Sequence, residues 1–435
     1  MNKKISVNLA IAIAIIAMTV TFSITMILSQ NIFDKTVSSV REKEQMYDKI
    51  AEIDKTVRAE YYGTIDDNTL FDMTSTGYMN GIGDKYARYY TANSYLDYLN
   101  EQSGKILGVG VDVIKNSDGY ARIIRVYADS TASEAGLEKN GYITKIGTQD
   151  TKELTISQIN TALRGEAGTT VDVTWVTQLA EEKGTVTLQR RQYDTPSVEW
   201  SVLDGKTTGY IKIRTFNSKT AAEITQAVQD MLAQRSDITS LVFDVRDNTG
   251  GSLTAAISAI DAVCPAGTIA VTMNKNGDKT VLGTSDVKEI TLPMAVLVNG
   301  TSAAGAELFA TSVRDFGKGK IVGVVTAGKG TIQSTPVRLS DGSAISYTTG
   351  ALLTKTEASF DGTGVSPDVI VEAKADELTN PYDLTVQNDS QIVKAFEVAA
   401  SLAGQSSTVV AAVPESTSSS TAESVSSSVA ESTAQ

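Results

Sequence analysis

Histidine is absent from this chain, and cysteine occurs once in its 435 residues. The first absence removes every Ser-His-Asp and Cys-His mechanism, the HExxH zinc hydrolases and most transition-metal chemistry. The second excludes an intrachain disulfide. Cys264 lies in the apolar run AAISAIDAVC and reads as a small buried hydrophobe. Positive charge is also short: the net charge is −13 and no basic stripe is present, so nothing electrostatic recommends a nucleic-acid partner. No metal site and no cofactor are expected. Any hydrolytic chemistry must use Ser, Thr, Lys, Asp or Glu.

The N-terminus sets the compartment. After Lys3 and Lys4 comes ISVNLAIAIAIIAMTVTFSITMIL, residues 5–28, with no charge before Asp34. A helix of that length reaches ~36 Å, enough to cross a ~30 Å hydrocarbon core with some tilt. The leading lysines should stay cytoplasmic and the remainder should be exported. The run is too long for a cleaved signal peptide and lacks a small-x-small cleavage site. Residues 1–30 are therefore expected to be an uncleaved, single-pass anchor in the cell membrane, with everything after it extracytoplasmic.

Residues 31–103 read as helical and amphipathic, with Tyr47, Ile50, Ile53 and Val57 at helical spacing. Residues 31–60 could pair two copies into a homodimer or form a monomeric stalk. Residues 104–190 change character. GKILGVGVDVI and YARIIRVY alternate like strands, STASEAGLEKNGYITKIG is turn-rich, ISQINTALRGEAG reads as a short helix, and TTVDVTWV is a strand. That order makes a small barrel-like module. Residues 404–435 contain three glutamates, no Lys or Arg and no aromatic, too little apolar surface to offset ordering entropy. They are expected to be a disordered tail.

Residues 191–403 form the largest unit. The strand GYIKIRTF (209–216) precedes an amphipathic helix. The apolar strand SLVFDVR (240–246) runs into Asp247-Asn248-Thr249-Gly250-Gly251 and a helix. MAVLVNG (294–300) leads into TSAAGAELFATSVRDFG, again helical, and IVGVV (321–325) leads into TAGKGTIQ. Continuously apolar strands alternating with helices indicate a mainly parallel sheet with helices packed on it. Two strand-to-helix junctions, 247–251 and 299–307, should lie together at one sheet edge, where helix N-terminal amides can meet a developing oxyanion. Glycines that merely close tight turns would read the same way. Lys329 sits between glycines; Gly323 to Lys329 fits most of a phosphate-binding loop, but Gly330 replaces the Ser/Thr and no helix follows.

The motifs GYIKIRTF, LVFDVRDNTGG, MAVLVNGTSAAGAELFA, IVG, TAGKGTIQ and DGTGVSPDVIV resemble, in order and spacing, the core of the tail-specific (C-terminal processing) serine peptidase family. The preceding module is similar to a PDZ domain. Leu107-Gly108-Val109-Gly110 matches its carboxylate-binding loop and Ser133-Glu134-Ala135-Gly136-Leu137 its short-helix signature. The implied fold is α/β: a protease-like core of mainly parallel sheet with packed helices, an inserted PDZ-like β-rich domain and an N-terminal helical segment.

The resemblance implies a Ser/Lys dyad acting on exported proteins. Lys329 would be the general base, Gln333 its orienter, and the amides of Gly251 and Gly305 the oxyanion hole. A lysine base must fall from its ordinary ~10.4 toward neutrality, at a cost of about 4 kcal/mol supplied by burial. The loop 107–110, with Arg164, would hold protein or peptide C-termini, and Arg164 is also a candidate contact between module and core. The family's nucleophile position is occupied by Ala304. Ser302 is the nearby hydroxyl, two residues upstream. Two readings follow: a peptidase with Ser302 as a repositioned nucleophile, or a catalytically inactive relative that binds C-termini.

Overall fold

The computed structural model describes residues 7–379 and 381–411. It divides into two compact units, Met1–Gly77 and Tyr78–Gln435. The first unit holds helix α1 (Val7–Glu60) and most of α2 (Asp67–Gly81). Arg58 near the end of α1 bonds Asp54 one turn earlier at 2.7 Å and also pairs with Asp67. Among the described residues, no helix is long and apolar enough to cross a membrane. The expected anchor 1–30 falls partly outside the description, which omits residues 1–6 and the side chains of 7–10, 28 and 30.

In the second unit a three-residue strand, β1 (Arg88–Tyr90), interrupts the stretch expected to be helical, and α3 (Ala92–Gln102) follows it. Thr91 caps α3 by accepting the Ser94 N–H. So short a strand has no periodicity to read. It exists because β19 of the core offers it an edge.

The next segment is β-rich. It contains β2 (Lys105–Gly108), β3 (Val111–Lys115), β4 (Ala121–Val126), the short α4 (Thr131–Glu134), β5 (Tyr142–Ile146), β6 (Gln149–Asp150), α5 (Ile156–Leu163), β7 (Thr170–Val176), β8 (Glu182–Gln189) and β9 (Arg191–Asp194). The order β3-β4-β5-β7-β8 is antiparallel throughout, and β2 pairs with β9 to close the segment on itself. Its inward residues, including Val113, Ile123, Ile143, Ile159, Val173 and Trp175, make a core of their own. That is why the segment reads as a module.

The remaining chain builds the largest layer. Its main sheet is ordered β10 (Val198–Val202), β11 (Thr208–Ile213), β12 (Ser240–Asp244), β15 (Met294–Val298), β16 (Gly319–Gly323) and β21 (Val369–Ile370). All neighbours are parallel except β10 with β11. Because side chains alternate along a strand, both faces of a fully apolar strand must be covered. Leu241, Phe243, Met294, Val296 and Val298 face α6 (Thr220–Gln234), α7 (Leu253–Val263) and α8 (Gly305–Asp315). Val242, Ala295, Leu297 and Val322 pack on Ile392, Ala395 and Phe396 of α10 (Ser390–Ala411).

A second, antiparallel sheet runs β14 (Lys279–Ser285), β13 (Gly267–Asn274), β20 (Thr348–Thr354), β17 (Thr331–Gln333), and a third pairs β1 with β19 (Ala344–Ser346) and β18 (Val337–Arg338). The sheets are therefore mixed, with parallel pairing confined to the main one. The short α9 (Ala375–Thr379) precedes α10. The expected tail 404–435 begins within α10, which reaches Ala411; from residue 412 on it lies outside the described residues.

Candidate active site

The ends of β12 and β15 bring the two expected junctions together. The Ala303 N–H of the second donates to Asn248 O of the first at 3.0 Å, and Asn248 Nδ2 anchors the first junction by donating to Ile213 O at 3.0 Å. Asp247 accepts from Asn299 Nδ2 and from Thr301 Oγ1, each at 2.8 Å. Gly250 lies so close to the second turn that a Cβ there would sit 3.2 Å from the Ala304 Cβ. Gly251 has φ 108°, and a Cβ on it would meet Phe216 O at 2.4 Å, so only glycine fits. Gly251 precedes α7, whose N-cap is Ser252, and Gly305 is the first residue of α8. Amides at such starts lack an intrahelical acceptor.

The turn before α8 has an unusual backbone. Ala304 adopts φ 53°, ψ −107°, a sparsely populated region that costs an L-residue on the order of 1–3 kcal/mol. It has no side-chain oxygen to cap the helix. Instead, its N–H donates to Glu307 Oε2 at 2.8 Å. The strained position at the tip of a strand–turn–helix is thus filled by a methyl group.

Ser302 is fully buried. Its hydroxyl donates to Val245 O at 2.7 Å, accepts the Asn299 N–H at 3.0 Å and lies 3.2 Å from Asn299 Oδ1. These bonds fasten the end of β15 to the end of β12. The expected Ser302–Lys329 dyad is not formed in this structure, because the hydroxyl points back into the sheet.

Lys329 sits in the loop between β16 and β17. Its backbone N–H donates to the same Glu307 Oε2 at 2.9 Å, while Gly328 N and the Thr326 hydroxyl donate to Oε1. One fully buried carboxylate therefore holds the turn at 304 and the loop at 329. Sequence reasoning assigned Glu307 no role, although a charge inside the apolar run GAELFA was the available signal. The Lys329 side chain is half-buried, and that burial, with Arg88 nearby, pushes its amine below the usual lysine range against the pull of Asp84 and Glu307. Among the described residues its Nζ has no hydrogen-bond acceptor and lies 4.9 Å from the centre of the Tyr86 ring. Gln333, in β17, bonds Thr331 Oγ1 at 3.1 Å and Thr348 Oγ1 at 3.2 Å, not Lys329. Tyr86, Asp84 and Thr348 carried no signal in the sequence.

The expected peptide loop connects β2 to β3. Leu107, Gly108, Val109 and Gly110 line a cavity of about 220 Å³ together with Asn160, Leu163, Arg164 and Tyr193. Arg164, expected at this loop and as a contact to the core, lines the cavity. It follows the last turn of α5, and its guanidinium lies 3.6 Å from Glu101 of α3. Ion pairs between module and core include Arg122 of β4 with Asp383, Arg125 of β4 with Glu199 at 3.0 Å, and Asp194 of β9 with Lys219 at 2.7 Å.

Comparison with known proteins followed from this geometry. Residues 207–371 match the family model described as Peptidase family S41. The chain is 27% identical over 379 residues to a "Probable CtpA-like serine protease" of Staphylococcus aureus (strain COL), covering 85% of this chain and 75% of that one. It is 28% identical over 354 residues to a protein of the same description from Staphylococcus haemolyticus (strain JCSC1435), covering 80% and 69%. A solved structure from Bacteroides fragilis, assigned to the S41 proteases, shares the fold at TM-score 0.53 with 17% identity, covering 79% of this chain and 92% of that one.

Proposed function

We propose, from the match of residues 207–371 to the model of peptidase family S41, that the chain is a peptidase-like receptor that holds protein C-termini without cutting them. The observation that carries this reading is the pairing of Ala304 at the strained turn with a Ser302 hydroxyl spent on Val245 O. Serine-type hydrolysis needs an oxygen nucleophile within reach of its base. A methyl group cannot attack a carbonyl.

In this reading the β-rich module is PDZ-like. The loop 107–110 presents amides to a free carboxylate, and the peptide adds along β3. Residues 5–28 tether the chain to the cell membrane with the rest extracytoplasmic, supported by their uncharged length behind two lysines. Exposed Phe71 (62%) and Met73 (64%) on α2 suit pairing with a second copy.

A second reading keeps hydrolysis. It is favoured by the Lys329 amine, which burial pushes down as a general base requires. One experiment separates the two. The full chain in detergent is incubated with casein beside Ala304→Ser. Cutting by Ala304→Ser alone supports the receptor. Cutting by the wild type, abolished in Ser302→Ala, would end it. Peptide binding that survives amidation of the peptide's C-terminus would remove the carboxylate-loop reading.

A further inference from the structure

The segment between α2 and α3 crosses the mouth of the Lys329 loop as a strap. It is pinned at two points. Arg88 to Tyr90 pair with Ser346 to Ala344 as β1 and β19. Before that strand, the Asp84 carboxylate accepts the Thr348 N–H at 2.7 Å and the Thr348 hydroxyl at 3.0 Å, and also the Tyr86 N–H at 2.9 Å. Asp84 thus ties the strap to β20 and sets the local turn that presents Tyr86.

Two consequences reach the site. The Tyr86 ring lies against Lys329 Nζ at 4.9 Å, and its neighbour Lys85 approaches the same ring at 4.7 Å. An ammonium on a ring face is attracted by the ring's quadrupole. Asp84 and Glu307 also attract the Lys329 amine, but among the described residues its Nζ makes no hydrogen bond and the Tyr86 ring is the group that faces it. The second consequence concerns Gln333. The Thr348 hydroxyl lies 3.0 Å from Asp84 Oδ1 and 3.3 Å from Gln333 Oε1 as a donor, and its oxygen accepts from Gln333 Nε2 at 3.2 Å, so it joins the Asp84 carboxylate to the Gln333 amide. With Thr331 as the other acceptor, the amide is committed away from Lys329.

The geometry points to the Asp84–Tyr90 strap as a lid on this site, with Tyr86 the plug over the Lys329 amine and Asp84 the latch that also holds Gln333 aside through Thr348. The inference rests on the reading of this site as peptidase-like, with Lys329 as its base and Gln333 as the orienter of that base. It adds a regulatory step to that reading. A peptide carbonyl reaches Lys329 only after the strap lifts, and lifting it also releases the Gln333 amide.

The test reads amine accessibility and does not depend on hydrolysis. The full chain is treated with a limiting amount of the N-hydroxysuccinimide ester of acetic acid, and acetylation of Lys329 is followed by peptide mass spectrometry against the exposed Lys275. Tyr86→Ala is expected to raise the Lys329 rate about tenfold, the order that a partly desolvated cation–π contact supplies. Tyr86→Phe keeps the ring and should leave the rate at the wild-type level. Thr348→Val, which takes the hydroxyl out of the latch without changing a charge beside the amine, should raise it severalfold. An unchanged rate in both Tyr86→Ala and Thr348→Val overturns the lid. So does a Tyr86→Phe rate equal to that of Tyr86→Ala, since loss of the hydroxyl alone would then account for the effect. If Tyr86→Ala does not fold, Thr348→Val decides alone. Casein cutting by the wild type would sink the receptor reading and leave these labelling outcomes as they are.

Discussion

The turn before α8 and the loop after β16 are joined through one carboxylate, and they differ in what they present. The turn has a strained φ of 53° at residue 304, whose side chain is a methyl. The loop carries Lys329, whose amine faces the Tyr86 ring, while Gln333 bonds Thr331 and Thr348. The shared element is Glu307, which binds both. The difference teaches that backbone architecture and chemical competence are held by separate interactions. The first rests on buried hydrogen bonds that any stable fold must satisfy. The second rests on one oxygen atom that folding does not require.

That comparison breaks most decisively at Glu307. Glu307→Ala leaves three backbone N–H groups and the Thr326 hydroxyl without their acceptor. Each buried orphan costs about 1–3 kcal/mol, with water recovering part, so a loss of about 3–5 kcal/mol is expected from urea unfolding. Hydrogen exchange at Ala304 and Lys329 should quicken together. Faster exchange at only one of them would show that turn and loop are not coupled through this carboxylate.

Ser302→Ala comes next. The hydroxyl ties β15 to β12 through Val245 O and the Asn299 N–H. Its removal should lower stability by about 1–2 kcal/mol, and any casein cutting gained by Ala304→Ser should persist in the double variant. Loss of that cutting at unchanged stability would make Ser302 part of the chemistry and erase the contrast between turn and loop.

Much of this was legible in the sequence. The continuously apolar SLVFD and MAVLV are the buried parallel strands β12 and β15, because only strands covered on both faces are written that way. The two junctions and the Lys329 loop followed from glycines after those strands. What could not be read depends on tertiary partners. Arg88–Tyr90 is a strand only because β19 lies beside it. Tyr86 has meaning only where the strap crosses Lys329. The ion pair of Arg164 with Glu101 joins residues far apart in sequence, which no local pattern brings together. The direction of the Ser302 hydroxyl was likewise beyond spacing arguments, since either a dyad or a sheet-end bond satisfies the same residue in the same turn.

The smallest effect tests the strain itself. If the turn at 304 is held by its surroundings and not by the residue in it, Ala304→Gly should stabilise the fold. Glycine occupies φ 53°, ψ −107° without the Cβ clash that an alanine meets there. Relief of strain on the order of 1–3 kcal/mol is opposed by the extra unfolded-state freedom of glycine, about 0.4–1 kcal/mol. A net gain of about 1 kcal/mol is therefore expected in denaturant unfolding at unchanged m-value. A loss of stability instead would mean that the Ala304 methyl packs favourably against Gly250, whose own Cβ position lies 3.2 Å away. In that case the residue would be a fitted part of a silent turn. A gain would leave it as a substituted position in a turn still shaped for another side chain.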